Sequence, residues 1–207
     1  MRKFEKLEGI AAPYNESDVD TDAIFPARFL LLLNRAGLGK HLFQDLRRAA
    51  GGEKFVLDQP EYQKATNLVA GERFGIGSSR EHAAWAIEDS GIRCIIAKSF
   101  GDIFRQNCFK NGVLPIELSE TEHKAVLEAA VDILPIEVDL NNTCITLPRG
   151  DEINFEVPEQ QRQALLSGKD EIANILSEDA QRISDFEQSQ QRHSPWLYLT
   201  MDQIQAS

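Results

Sequence analysis

Between residues 67 and 118, short, almost wholly apolar runs alternate with amphipathic ones. Asn67-Leu-Val-Ala70, Ile92-Arg-Cys-Ile-Ile-Ala97 and Val113-Leu-Pro-Ile-Glu-Leu118 are brief and largely aliphatic, as strands buried on both faces are. Ala83–Ser90 and Ile103–Asn111 space their apolar residues as helices do, and Gly91 and Gly112 follow as suitable left-handed caps. This alternation of strand and helix predicts parallel strands joined by crossover helices. Downstream, Thr121–Val131 predicts a helix burying Ala125, Leu127, Ala129 and Ala130. Ile136–Leu140 and Thr143–Leu147 predict a hairpin turning at Asn141-Asn142, with Ile153–Val157 as a third strand. Pro158 opens a helix that Gly168 ends; the polar, glutamine-rich stretch Asp170–Arg192 predicts a surface helix. Pro195–Leu199 is apolar enough to dock back or meet a partner. Upstream, Glu8–Pro13 predicts one strand, Ala27–Asn34 an apolar helix, and His41–Arg48 an amphipathic helix ended by Gly51-Gly52. The sum is an α/β domain over residues 1–157, with helices covering a mixed or parallel sheet and a small antiparallel part. A helical extension over 158–207 would pack on that domain or on a partner.

The most concentrated chemistry lies in Gly71-Glu-Arg-Phe-Gly-Ile-Gly-Ser-Ser-Arg-Glu-His82, between a strand and a helix. Its glycines let the backbone turn sharply and let a ligand come close. Ser78 stands three positions before Glu81, the spacing of a capping box. Free N–H groups at a helix start and the guanidinium of Arg80 together suit a carboxylate or phosphate. The same features also describe an ordinary glycine turn and helix cap. A nucleotide phosphate loop lacks its Gly-Lys-Ser/Thr here, and the spacing of Gly71, Gly75 and Gly77 does not fit a dinucleotide fingerprint. The acidic stretch Asn15–Pro26 lacks the glycine and terminal glutamate of a calcium loop. It is either a polar turn capping a helix, or a place where Asp22 orients an arginine and Thr21 donates a hydrogen bond. Arg35, beside Gly37 and Gly39, is either a solvated loop cation or part of a substrate clamp.

Composition narrows the classes. The 207 residues carry a net charge of −11, which argues against nucleic acid and anionic membrane as partners. No run approaches the roughly 20 apolar residues of a membrane-spanning helix. Met1–Lys6 lacks the apolar core of a signal peptide, so a cytoplasmic location is expected. Cys94, Cys108 and Cys144 form neither an even set nor a compact cluster, and the four histidines are scattered, so no metal is expected on this chain.

Read together, Asp18–Pro26, Phe74–His82 and Ser99-Phe-Gly-Asp-Ile-Phe, continuing to Asn107-Cys-Phe-Lys-Asn-Gly-Val-Leu-Pro-Ile116, resemble the small subunits of 3-isopropylmalate dehydratases, in the aconitase superfamily. The likeness runs from about Glu8 to Val157 and returns at Pro195-Trp-Leu197. It implies an aconitase-like swivelling domain of β/β/α layers with a helical C-terminal tail. It implies a hydro-lyase of leucine biosynthesis, active with a large subunit that carries a four-iron, four-sulfur cluster and acting on a small dicarboxylate. By the same match Ser78 is the catalytic base, Ser79 and Arg80 bind substrate carboxylate, and Thr21 and Asp22 occupy active-site positions as further substrate-binding residues, Asp22 steadying an arginine. Arg35 is a further candidate for substrate binding, and residues 31–38 for specificity. A related hydro-lyase acting on another substituted malate, a stand-alone phosphate- or nucleotide-binding module, and a non-catalytic assembly or regulatory subunit are the alternatives.

Overall fold

The computed structural model describes residues 1–199 apart from 33, 51–54 and 170. Contacts divide the chain into two compact units, Met1–Gly168 and Lys169–Ser207.

In the first unit, β2 (Ala11–Tyr14), β3 (Asn67–Ala70), β4 (Cys94–Ala97) and β5 (Leu114–Glu117) pair in that order and all in parallel. The strand–helix alternation supplies their connections: α3 (Glu81–Asp89) joins β3 to β4, and α4 (Asp102–Lys110) joins β4 to β5. A second sheet, wholly antiparallel, runs β1 (Lys6–Gly9), β6 (Ile136–Asp139), β7 (Cys144–Thr146), β8 (Glu152–Asn154). Among the described residues of the unit, further α-helices are α1 (Thr21–Ile24), α2 (Gln44–Ala49), α5 (Glu120–Val131) and α6 (Glu159–Ser167).

Alternation along the parallel strands explains the layering. Ala12, Tyr14, Leu68, Ala70, Ile95 and Ala97 face one core, shared with Ala83, Ala84 and Ile87 of α3 and Phe104 of α4. Ala11, Val69, Cys94, Ile96, Leu114 and Ile116 face a second core, shared with Val138 and Ile145 of the antiparallel sheet, Val126 of α5 and Leu165 of α6. Successive strand residues point to opposite faces, so one sheet is buried on both sides. Helices α3 and α4 cover one face of the parallel sheet, and the antiparallel sheet with α5 and α6 covers the other.

Several expectations change. The single strand over residues 8–13 is two strands in different sheets, β1 and β2, separated by Ile10. The apolar run Ala27–Asn34 is no helix: only Ala27–Phe29 makes a 3-10 turn, and Leu31 is 88% exposed. Four consecutive leucines suggest burial, but an all-apolar run has no polar face to direct it, so composition alone misleads. Leu33 of that run, the helix stop at Gly51-Gly52, and Asp170 lie outside the described residues. Helix α6 packs on the first unit: Leu165 is in the second core and its carbonyl accepts from Phe4 N at 2.9 Å. The second unit is helical, with α7 (Glu171–Glu178), α8 (Ala180–His193) and a 3-10 turn Pro195–Tyr198. Trp196 and Leu197 there are exposed within the described residues. No described helix is long and apolar enough to cross a membrane.

Candidate active site

The loops leaving the C-terminal ends of β2, β3 and β4 are stitched into one surface. Gly71 N and Gly75 N donate to the carbonyls of Glu16 (3.1 Å) and Val19 (2.7 Å), while Asp18 N and Thr21 N donate to those of Glu72 and Ile76, both at 2.9 Å. Phe74 N donates to Ser99 O at 3.0 Å and Gly101 N to Phe74 O at 2.9 Å. Short parallel bridges, Asp20 with Ile76 and Phe74 with Phe100, continue the sheet order beyond the named strands. The carboxyl end of an open parallel sheet is where such folds bind ligands. Beneath the loop, His123 Nε2 of α5 lies 2.6 Å from the carbonyl of Ala70; burial lowers its pKa, the Ala70 contact opposing that.

The stitching brings Thr21 and Ser78 together. Thr21 Oγ1 lies 3.0 Å from Ser78 Oγ and 3.0 Å from the Ser78 carbonyl oxygen. Thr21 is 1% exposed, whereas Ser78 and Ser79 are exposed. The expected capping box at Ser78 and Glu81 does not form. The N-cap of α3 is Arg80, which makes no side-chain cap, and the Ser78 hydroxyl turns to Thr21 instead. A capping box does form at Ser119 and Glu122, opening α5. Ser78 is therefore a hydroxyl on a fixed backbone, outside the helix it precedes.

Arg80 meets Asp22 through both carboxylate oxygens: Nη2 donates to Oδ2 at 3.0 Å, and Nη1 pairs with Oδ1. The hydrogen bond from Arg80, more than burial can oppose, holds the Asp22 carboxyl below its ordinary pKa. Asp22 Oδ1 also accepts from Ala27 N at 2.9 Å, which ties the start of the 27–32 segment to the pair. With the Asp22 side chain 53% exposed, this pair adds little to stability. Its consequence is geometric: the guanidinium fork is fixed one residue before the N-terminus of α3.

Arg35, in the loop after the 27–29 turn, is held apart from that pair but against the same helix, α3. Its guanidinium lies over the Trp85 ring, 4.4 Å from the centroid, and Nη1 donates to Asn111 Oδ1 at 3.2 Å. Asn111 Nδ2 donates in turn to Glu81 Oε1 at 2.9 Å, so Arg35 reaches the first turn of α3 through one amide. A guanidinium stacked by its face keeps in-plane N–H groups for another acceptor. Gly37 N and Gly39 N donate to Asp89 at 3.1 and 2.7 Å, pinning the rest of this loop to the far end of α3. Asn111, Trp85 and Asp89 went unnoticed in the sequence, where each looks like helix filler. The polar residue before Gly112 was the available signal.

Among the described residues no three His, Cys, Asp or Glu side chains gather to hold a metal. Cys94 and Cys108 are fully buried and burial pushes both thiols up, so neither is a ready thiolate ligand. Among the described residues, the buried Cys94 and Cys108 do not fit as ligands of an iron–sulfur cluster. Two surface clefts, of about 930 and 310 Å³, are lined by other residues than Thr21, Asp22 and Ser78–Arg80.

Over 202 aligned residues the chain is 48% identical to the 3-isopropylmalate dehydratase small subunit of Paramagnetospirillum magneticum, covering 95% of this chain and 100% of the relative. The chain belongs to the family of 3-isopropylmalate dehydratase small subunits. The corresponding small subunit of Rhodospirillum rubrum is 46% identical, with 95% and 97% covered. Residues 1–121 match the model of the aconitase C-terminal domain, and these hold every residue of the site. A crystal structure of a 3-isopropylmalate dehydratase from Methanocaldococcus jannaschii shares the fold at a TM-score of 0.64 and 27% identity, over 87% of this chain and 99% of that one. The small-subunit fold is thus an α/β unit of the aconitase swivel type.

Proposed function

We propose that this chain, joined to a large subunit, interconverts 2-isopropylmalate and 3-isopropylmalate through isopropylmaleate, in leucine biosynthesis and in the cytoplasm. The observation that carries the reading is the exposed Ser78 hydroxyl, buttressed by Thr21 and set beside the fixed Arg80–Asp22 pair at the head of α3. Ser78 is the base. Its Oγ takes the carbon-bound proton, the released electron pair forms the double bond, and the adjacent C–O bond breaks with its pair on the departing hydroxyl. Rehydration returns the proton to carbon, so isomerisation needs no net proton. Arg80, with Ser79, holds one substrate carboxylate; Arg35, packed against Trp85 of α3, takes the other. In a chain of net charge −11, such local cations are what make a dianion welcome. The large subunit contributes a four-iron, four-sulfur cluster as Lewis acid for the substrate hydroxyl.

The test is reconstitution. This chain and its large subunit, combined anaerobically, should dehydrate either isopropylmalate with a rise in absorbance from the unsaturated acid, and neither subunit should do so alone. A complex that forms yet leaves both isopropylmalates untouched would sink the proposal.

Asp22→Asn tests the fixed guanidinium. With the carboxylate charge gone, Arg80 loses its orienting partner, and KM should rise about tenfold, the worth of one charge-assisted hydrogen bond. Stability should shift by less than about 1 kcal/mol, because the Asp22 carboxylate is exposed. Steady-state kinetics and a urea titration separate these outcomes; an unchanged KM would show that Arg80 does not depend on Asp22.

A further inference from the structure

We infer that Thr21 is the hydrogen-bond donor that sustains Ser78 in its ionised, proton-accepting form, acting on Ser78 and not on substrate. The inference rests on the reading of Ser78 as base. A serine hydroxyl is far too weak an acid to ionise unaided near neutral pH, so its alkoxide needs donors already in place. Thr21 Oγ1 has one hydrogen and two acceptors at the same 3.0 Å, the Ser78 carbonyl and Ser78 Oγ. With Ser78 neutral, both contacts are met when Thr21 donates to the carbonyl and accepts from the Ser78 hydroxyl. With Ser78 ionised, Oγ has nothing to donate. Thr21 then turns its hydrogen about the Cβ–Oγ1 bond onto the alkoxide, and no heavy atom has to move.

Three observations make that turn inexpensive and specific. The Ser78 carbonyl also accepts from Arg80 N at 2.8 Å, so it is not orphaned when Thr21 turns away. Thr21 is fastened at both backbone ends, its N–H to Ile76 O and its carbonyl to Phe25 N, each at 2.9 Å. At 1% exposure it is shielded from water, which leaves the hydroxyl to serve Ser78 and not solvent. The proton of catalysis passes between substrate carbon and Ser78 Oγ throughout; Thr21 keeps its own.

The experiment uses the reconstituted two-subunit enzyme, and the wild-type complex is assayed first. Inactivity there overturns the functional reading, before any variant is compared. In an active complex, Thr21→Val keeps shape and removes the donor. We expect kcat to fall about a hundredfold with KM within about twofold, the loss typical of one oxyanion donor. The limb of kcat that rises with pH should move up by about one to two units, since the alkoxide is harder to form. Thr21→Ser should recover most of the rate. If Thr21→Val does not assemble, Thr21→Cys supplies a near-isosteric weak donor and should lose at least about tenfold in kcat. A tenfold rise in KM at unchanged kcat would place Thr21 on substrate and overturn the inference. So would a loss of kcat with an unmoved pH limb, or a Thr21→Val enzyme as fast as wild type.

Discussion

Ser78→Ala, in the assembled enzyme, is expected to lower kcat at least a thousandfold while leaving assembly with the large subunit intact. The magnitude follows from what is lost. Removing the nucleophile or base of a preorganised site in a serine enzyme costs up to about a millionfold, and what survives comes from binding and fixed dipoles. Here Arg80, Asp22 and the start of α3 stay in place, because their contacts do not pass through the Ser78 side chain. KM should therefore change by less than about threefold. The lost hydroxyl leaves Thr21 with its carbonyl partner, so the folding cost is that of one half-buried hydrogen bond, about 1 kcal/mol. Co-purification with the large subunit shows that assembly is unharmed, and single-turnover absorbance of the unsaturated acid reads the chemical step. A variant keeping more than a tenth of wild-type kcat would remove Ser78 from the chemistry.

The parallel half of the fold was readable because periodicity carried it. Leu68, Ile95 and Ile96 lie in runs too apolar and too short for anything but doubly buried strands, and glycines stop the helices between them. The hairpin at Asn141-Asn142 was equally plain, and Asp139 holds it by accepting from both asparagine N–H groups at 2.8 and 3.0 Å. What did not show was which sheet a strand joins. Residues 8–13 look like one strand because nothing local marks the change of partner at Ile10; pairing is decided by distant residues, Ile136 and Asn67. The site divides in the same way. The loop at 71–82 announced a candidate anion site through glycine, serine and arginine, and the family resemblance supplied the role of Ser78. The capping box was a false signal: a spacing of three permits that geometry, but a buried threonine 57 positions away competes for the same hydroxyl and takes it. Asn111 escaped notice because its work, linking Arg35 to Glu81, exists only once α4 lies beside α3.

Gly75→Ala is the largest stability effect we expect at the site, about 3 to 4 kcal/mol, and it separates backbone demand from chemistry. Gly75 has φ +76°, a left-handed conformation that costs alanine about 1–2 kcal/mol. A Cβ there would also run into the Phe104 ring. That ring cannot yield cheaply: it is 2% exposed, edge-on to Phe74 at 5.5 Å between centroids and stacked with Phe100. Forcing a methyl into such packing costs about 1–3 kcal/mol more. Against a total stability of about 5–15 kcal/mol, the sum is a large share. Gly77→Ala is the matched control. Its φ is +94°, so the backbone strain is comparable, yet the nearest atom to its Cβ would be Asp20 Cβ at 3.5 Å, an ordinary contact. Denaturant titration should show the Gly75 variant about 2 kcal/mol less stable than the Gly77 variant at an unchanged slope. Equal losses would mean that strain alone sets the cost and that Phe104 moves aside. Because the Gly75 N–H to Val19 carbonyl contact at 2.7 Å helps align the loops carrying Thr21 and Ser78, the same substitution should lower kcat, whereas Gly77→Ala should leave that contact in place.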